Sequence, residues 1–131
     1  MVVTRSASSY AETMSSLVVA IERRGLTVFA RIDHAAGARD AGLELADEEV
    51  VLFGSPRSGT PLMQDDPRIG IELPLRMLVW SDGEQVLLGH RDPRELSGPY
   101  AVSAHAQTLE QMAVLLDALA AEAAGGGSQA R

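Results

Sequence analysis

The sequence predicts an α+β fold in two layers: a mixed sheet of about five strands, two long amphipathic helices packed against it, and short helices between. Three observations carry this expectation. Ser9 with Glu12 and Thr108 with Gln111 form capping-box patterns, each ahead of apolar residues at helical spacing. The runs 26–33, 50–53 and 75–80 are alternating or wholly apolar, as strands are. Asp82-Gly83 is a hairpin signal that joins the last run to Gln85–His90.

In chain order, Val3 to Ser8 is short and partly β-branched and reads as the first strand. Tyr10, Met14, Leu17, Val18 and Ile21 then define one helical face, and Gly25 stands where a left-handed C-terminal cap is wanted. Leu26, Val28, Ala30 and Ile32 alternate with Thr27, Phe29, Arg31 and Asp33, a second strand. Strand, helix and strand with short joints suggest a βαβ crossover and hence a parallel pair.

Asp33 is the expected N-cap of a short helix from His34 to about Ala41, ended near Gly42. Val50 to Phe53 reads as a buried strand stopped by Gly54. Thr60-Pro61 and Asp66-Pro67 each put a capping oxygen before a proline, which predicts short helices near 61–65 and 67–72. Asp92-Pro93 begins another turn, and Leu109, Met112, Leu116 and Leu119 mark the last long helix. Residues 1–124 are expected to form one globular domain, with 125–131 a flexible glycine-rich tail.

Composition limits the chemistry. The 131 residues include neither cysteine nor lysine; all eleven basic residues are arginine. That excludes thiolate metal sites, cysteine nucleophiles and Schiff-base lysines. Eighteen carboxylates bring the net charge to −7, which argues against non-specific binding to nucleic acid or to an anionic membrane. No apolar run reaches the roughly 18–20 residues of a bilayer span, and no signal peptide is read, so a cytoplasmic location is expected.

Two segments remain as candidates for function. Gly54 to Thr60 has the glycine spacing of a P-loop, but Thr60 stands where the lysine belongs and Pro56 removes a backbone donor. The weaker reading is that the Thr60 helix start, with Ser58 and Arg57, holds a carboxylate or phosphate. Asp33-His34 ends a strand, where ligand clefts of open parallel sheets lie, and His34 at a first helical turn would favour a neutral imidazole. Against this, Asp33 can serve only as a cap. His34, His90 and His105 lack metal spacing, and the carboxylates of 47–49 and 65–66 read as solvated turns and caps. Trp80 and Met77 must face opposite sides of their strand, with core packing the better role for Trp80.

Several blocks together resemble the domain of unknown function 302 family: Phe29-Ala30-Arg31-Ile32-Asp33-His34-Ala35-Ala36-Gly37-Ala38, Phe53-Gly54-Ser55-Pro56 and Gly59-Thr60-Pro61-Leu62-Met63-Gln64. Leu73 to Trp80 and the Asp92-Pro93 step extend the likeness over roughly residues 4–100. The resemblance implies a two-layer α/β domain and a homodimer, and implies no reaction. It maps the family's Ile-Asp-His histidine onto His34 and its Gly-Thr-Pro block onto Gly59, Thr60 and Pro61. Ser55-Pro56-Arg57-Ser58 stands where an asparagine and a lysine are more usual.

The resulting expectation is a binding module for a small polar or anionic ligand. Asp33, His34, Arg57, Gly59 and Thr60 would line one corner of the sheet, provided that their strands run parallel. No metal and no cofactor is called for. The alternatives are a structural homodimerisation domain, paired through the exposed side of Leu75 to Trp80 or a free sheet edge, and an enzyme with His34 as general base.

Overall fold

The computed structural model describes residues 1–125 and, for the backbone, 129–130. Its strands are β1 (Val2–Arg5), β2 (Thr27–Asp33), β3 (Glu48–Gly54), β4 (Leu75–Asp82), β5 (Gln85–His90) and the two-residue β6 (Gln129–Ala130). The helices are α1 (Tyr10–Arg23), α2 (His34–Asp40), α3 (Pro56–Asp65) and α4 (Ala106–Ala123), with 3-10 turns at Pro67–Ile71, Pro93–Ser97 and Ser103–His105.

Local chemistry sets most of these boundaries. The Ser9 hydroxyl accepts from the Glu12 amide at 3.1 Å while the Glu12 carboxylate accepts from the Ser9 amide at 3.3 Å, a complete capping box for α1. The Asp33 carboxylate accepts from the Ala36 amide at 2.9 Å and starts α2. Asp66 and Asp92 cap the two turns that begin at Pro67 and Pro93. Gly83 turns the β4–β5 hairpin at φ 63°.

Two boundaries differ from expectation. Thr60 is not a helix start, because Ser55 and Pro56 supply the N-cap and first-turn proline five residues earlier, and Pro61 lies inside α3. The last helix begins at Ala106, ahead of the Thr108 capping box, because the Ser103–His105 turn leads directly into it. Of the tail expected over 125–131, residues 126–128 and 131 lie outside the described residues, and the backbone of Gln129–Ala130 pairs with β1.

The order is β2-β3-β4-β5-β1-β6, and every neighbouring pair is antiparallel. The α+β class with two long helices on one sheet therefore holds, while the parallel pair and the mixed sheet do not. β1 and β2 do point the same way, as a crossover through α1 requires. Three strands, β3, β4 and β5, come between them and reverse direction at each step.

Both long helices cover the same sheet face. Met14, Leu17 and Ile21 of α1 and Leu116, Leu119 and Ala120 of α4 pack with Val51, Phe53, Met77, Val79 and Leu88. Phe53, Val51, Met77, Val79 and Leu88 lose all solvent contact there. A second cluster of Leu62, Ile69, Val102, Leu109 and Met112 extends the core beneath α3. Trp80 lies on the opposite sheet face, only partly buried, where it crosses Gly89: a Cβ at Gly89 would fall 3.0 Å from its ring. Leu78 and Val50 are its half-buried neighbours on that face, beside the exposed Ile32.

Candidate functional site

The antiparallel register separates the residues that were expected to share one corner. Asp33 pairs with Glu49, whereas Thr27 pairs with Gly54. Asp33 and His34 thus leave the sheet at one end, and Gly54 leads into α3 at the other, about 20 Å away at the rise of a strand. Gly59 and Thr60 belong to that far end. The corner fails because it required β2 and β3 to run in parallel.

The Asp33 end is polar, with Arg31, Asp33 and His34 exposed. Arg31 donates from Nε to the nearly buried Glu49 carboxylate. Tyr10, at the start of α1, has its phenol pKa pushed up to about 12 by burial, then by the charges of Glu49, Asp33 and Asp47. His34 is exposed, and among the described residues no hydrogen bond links its ring to a carboxylate. The Asp33 carboxylate is directed to the helix amide instead of orienting an imidazole. A general base lacks here both its orienting group and a sheltered pocket.

The Gly54 end is hollow. A cavity of about 420 Å³ opens between the start of β2, the end of β3, α3, the Leu73–Leu75 segment and α4. Phe29, Leu52, Leu73, Met112 and Leu115 are among its apolar walls, and Ser55, Ser58 and Thr60 bring hydroxyl-bearing side chains to it. Of the five residues expected to bind a ligand, Gly59 and Thr60 line this cavity, and Asp33, His34 and Arg57 do not. Arg57 is exposed on the first turn of α3.

Phe29 is one of the lining residues that sequence reasoning missed. Alternation assigns it to the solvent side of a regular strand. A register shift between Val28 and Ala30 makes it the extra residue of a bulge, and it stays 52% exposed at the cavity. An aromatic residue at a position that alternation leaves to solvent was the available signal.

The other histidines are tied to the framework. His90 is buried, with Nδ1 2.9 Å from the Arg91 carbonyl and Nε2 3.3 Å from an Asp117 oxygen. His105 pairs with Asp65 at 2.9 Å. Among the described residues no group of three or more His, Cys, Asp or Glu side chains is placed to hold a metal. No helix among them is long and apolar enough to cross a membrane.

Known proteins place this geometry in a family. The chain is 44% identical over 98 residues to the fluoride-specific ion channel FluC 1 of Brucella suis biovar 1, a match covering 74% of this chain and 39% of that protein. FluC 2 of Brucella melitensis biotype 1 matches equally well over 36% of its length. The chain therefore spans less than two fifths of these curated relatives. An uncharacterized conserved protein DUF302 from Bacillus stearothermophilus shares the fold at a TM-score of 0.83 and 16% identity, over 92% of this chain and 95% of that one. The family profile described as domain of unknown function DUF302 matches residues 2–119, and the chain belongs to that family.

Proposed function

We propose that this domain is a binding module whose ligand occupies the cavity at the Gly54 end. The observation that carries the reading is the cavity itself. Its volume of about 420 Å³ lies within the roughly 300–1,000 Å³ range of small-molecule sites, with mainly apolar walls and a few hydroxyls. That chemistry revises the ligand from a small anion to a small molecule with an apolar body and one polar end. Ser58 and Thr60 would meet the polar end; Phe29, Leu52 and Leu115 would enclose the body. Partial likeness to longer proteins named as fluoride channels suits a module that reports to a larger partner.

Fluorescence titration with anilinonaphthalene sulfonate, an apolar probe with one anionic end, tests the reading. Saturable binding by the native chain, abolished by Leu115→Trp, is the expected result. The bulky ring would fill the hollow without opening the core. Binding that is absent, or indifferent to Leu115→Trp, rejects it.

A second reading rests on a different observation. The sheet face away from the long helices carries Ile32, Val50, Leu78 and Trp80, with Ile32 45% exposed. A second copy seated there in a twofold arrangement would cover it. Sedimentation of a Leu78→Arg variant checks this: a dimeric native chain and a monomeric variant support the pairing, and a monomeric native chain removes it.

A further inference from the structure

We propose that two copies of the chain pack their open sheet faces crosswise, with Arg76 of each set against Glu48 of the other. The inference rests on the second reading above, in which a second copy covers this face, and adds the orientation of that copy.

Three pairs across β3 and β4 define the face. Leu52 stands opposite Arg76, Val50 opposite Leu78 and Glu48 opposite Trp80. The alternate positions Val51, Phe53, Met77 and Val79 point into the core, so these six side chains share the side away from the long helices. The strip is thus basic at one end, apolar in the middle and acidic at the other. Arg76 is exposed, whereas Glu48, Val50, Leu52, Leu78 and Trp80 are half-buried. Asp82, two residues past Trp80, extends the acidic end. Arg5 lies level with Trp80, opposite Leu87, but on β1, two strands beyond β4 and toward the rim.

Two twofold arrangements bring such faces together, and the charges separate them. With the axis along the strands, each end meets its own kind: Arg76 lies near the partner's Arg76, and Glu48 near the partner's Glu48. With the axis across the strands, through the Val50–Leu78 pair, the ends exchange. Leu52 then faces the partner's Glu48, and Arg76 faces the partner's Trp80, one strand spacing from that carboxylate. Like charges juxtaposed across an interface are costly. The crosswise arrangement replaces them with two symmetric arginine–glutamate pairs and lays each guanidinium on an indole. Sheets packed face to face lie about 10 Å apart, a gap that an arginine and a glutamate span together.

Sedimentation equilibrium of the whole chain tests the orientation, with Arg76→Glu, Glu48→Arg and an equimolar mixture of the two. Each single variant turns both attractive pairs into repulsive ones and should weaken dimerisation by roughly tenfold or more. The mixture should recover the native affinity, because the reversed charge of each chain then meets its opposite on the other. Recovery on mixing also shows that both variants fold, since a misfolded chain rescues nothing. A native dimer that neither variant weakens overturns the crosswise orientation and leaves the covered face standing. So does a mixture that fails to recover. Arg76→Gln and Glu48→Gln serve where a reversal unfolds the chain, and an unweakened dimer in both has the same meaning. A monomeric native chain overturns this inference and the second reading together.

Discussion

The two ends of the sheet solve the same problem in opposite ways. At the Asp33 end the chain leaves β2 and enters α2 through a carboxylate cap, Arg31 pairs with Glu49, and the nearby carboxylates act on the Tyr10 phenol. At the Gly54 end the chain leaves β3 and enters α3 through Ser55-Pro56, and side chains fail to fill the space behind it. Glycine accounts for part of that vacancy. A Cβ at Gly59 would sit 3.5 Å from Leu73 Cδ1, and one at Gly70 would sit 3.4 Å from Met63 Sδ. Polar density therefore makes the first end a support, whereas missing side-chain volume makes the second a receptacle.

The largest effect expected from breaking this comparison is in the packing that holds α3 over the hollow. Leu62 is wholly buried on α3 and packs with Ile69, Leu73 and Met112. Leu62→Ala should cost about 2–5 kcal/mol, toward the upper part of that range if the neighbouring cavity prevents collapse onto the lost volume. Urea unfolding measures it. A loss below about 1 kcal/mol would mean that the α3 end is already loosely held, contrary to the picture of a framed cavity.

At the polar end the corresponding change is milder. Asp33→Ala removes the α2 cap, and one helix amide loses its partner. The expected loss is about 1 kcal/mol, and cavity binding should be unaffected because Asp33 does not line the hollow. Weakened probe binding in Asp33→Ala would show that the two ends communicate.

The elements were more legible in the sequence than their arrangement. Capping boxes, Asp-Pro steps and Asp82-Gly83 are local signals, and α1, α2, the turns and the β4–β5 hairpin formed where they indicated. Strand direction is not local. Nothing in the alternation of residues 26–33 and 50–53 reveals that β2 and β3 will pair antiparallel, and the supposed single corner fell with that assumption. Of the cavity lining, Gly59 and Thr60 drew notice through the glycine spacing of residues 54–60, although both lie inside α3. Leu52, Leu73, Met112 and Leu115 did not, because a cavity wall and a core position look alike in sequence.

A smaller effect, of opposite sign, is expected at Gly59. It lies inside α3, where glycine carries an entropic cost and its added Cβ would make an ordinary contact with Leu73. Gly59→Ala should therefore stabilise the fold by roughly 0.4–1 kcal/mol while it trims the cavity. Tighter folding together with weaker probe binding would sharpen the view that this end gives up stability for space. A destabilised Gly59→Ala would show that the hollow tolerates no added carbon.

The smallest effect is invisible at neutral pH and belongs to Tyr10. Its phenol is neutral below about pH 10 whether the chain is folded or not, so the raised pKa then adds nothing to the pH dependence. Between pH 10 and about 12 the unfolded chain ionises this group and the folded chain resists, held back by burial and by Glu49, Asp33 and Asp47. Stability must fall across that window. Tyr10→Phe should reduce the fall without abolishing it, because Tyr100, hydrogen-bonded to Glu72, is also raised. Asp33→Asn should leave a smaller reduction, since it withdraws one of three neighbouring charges and leaves the burial in place. Alkaline unfolding followed by circular dichroism, with phenolate absorbance recorded in parallel, separates these contributions. Identical alkaline curves for the native chain and Tyr10→Phe would mean that burial and the carboxylates of the polar end do not hold this phenol neutral.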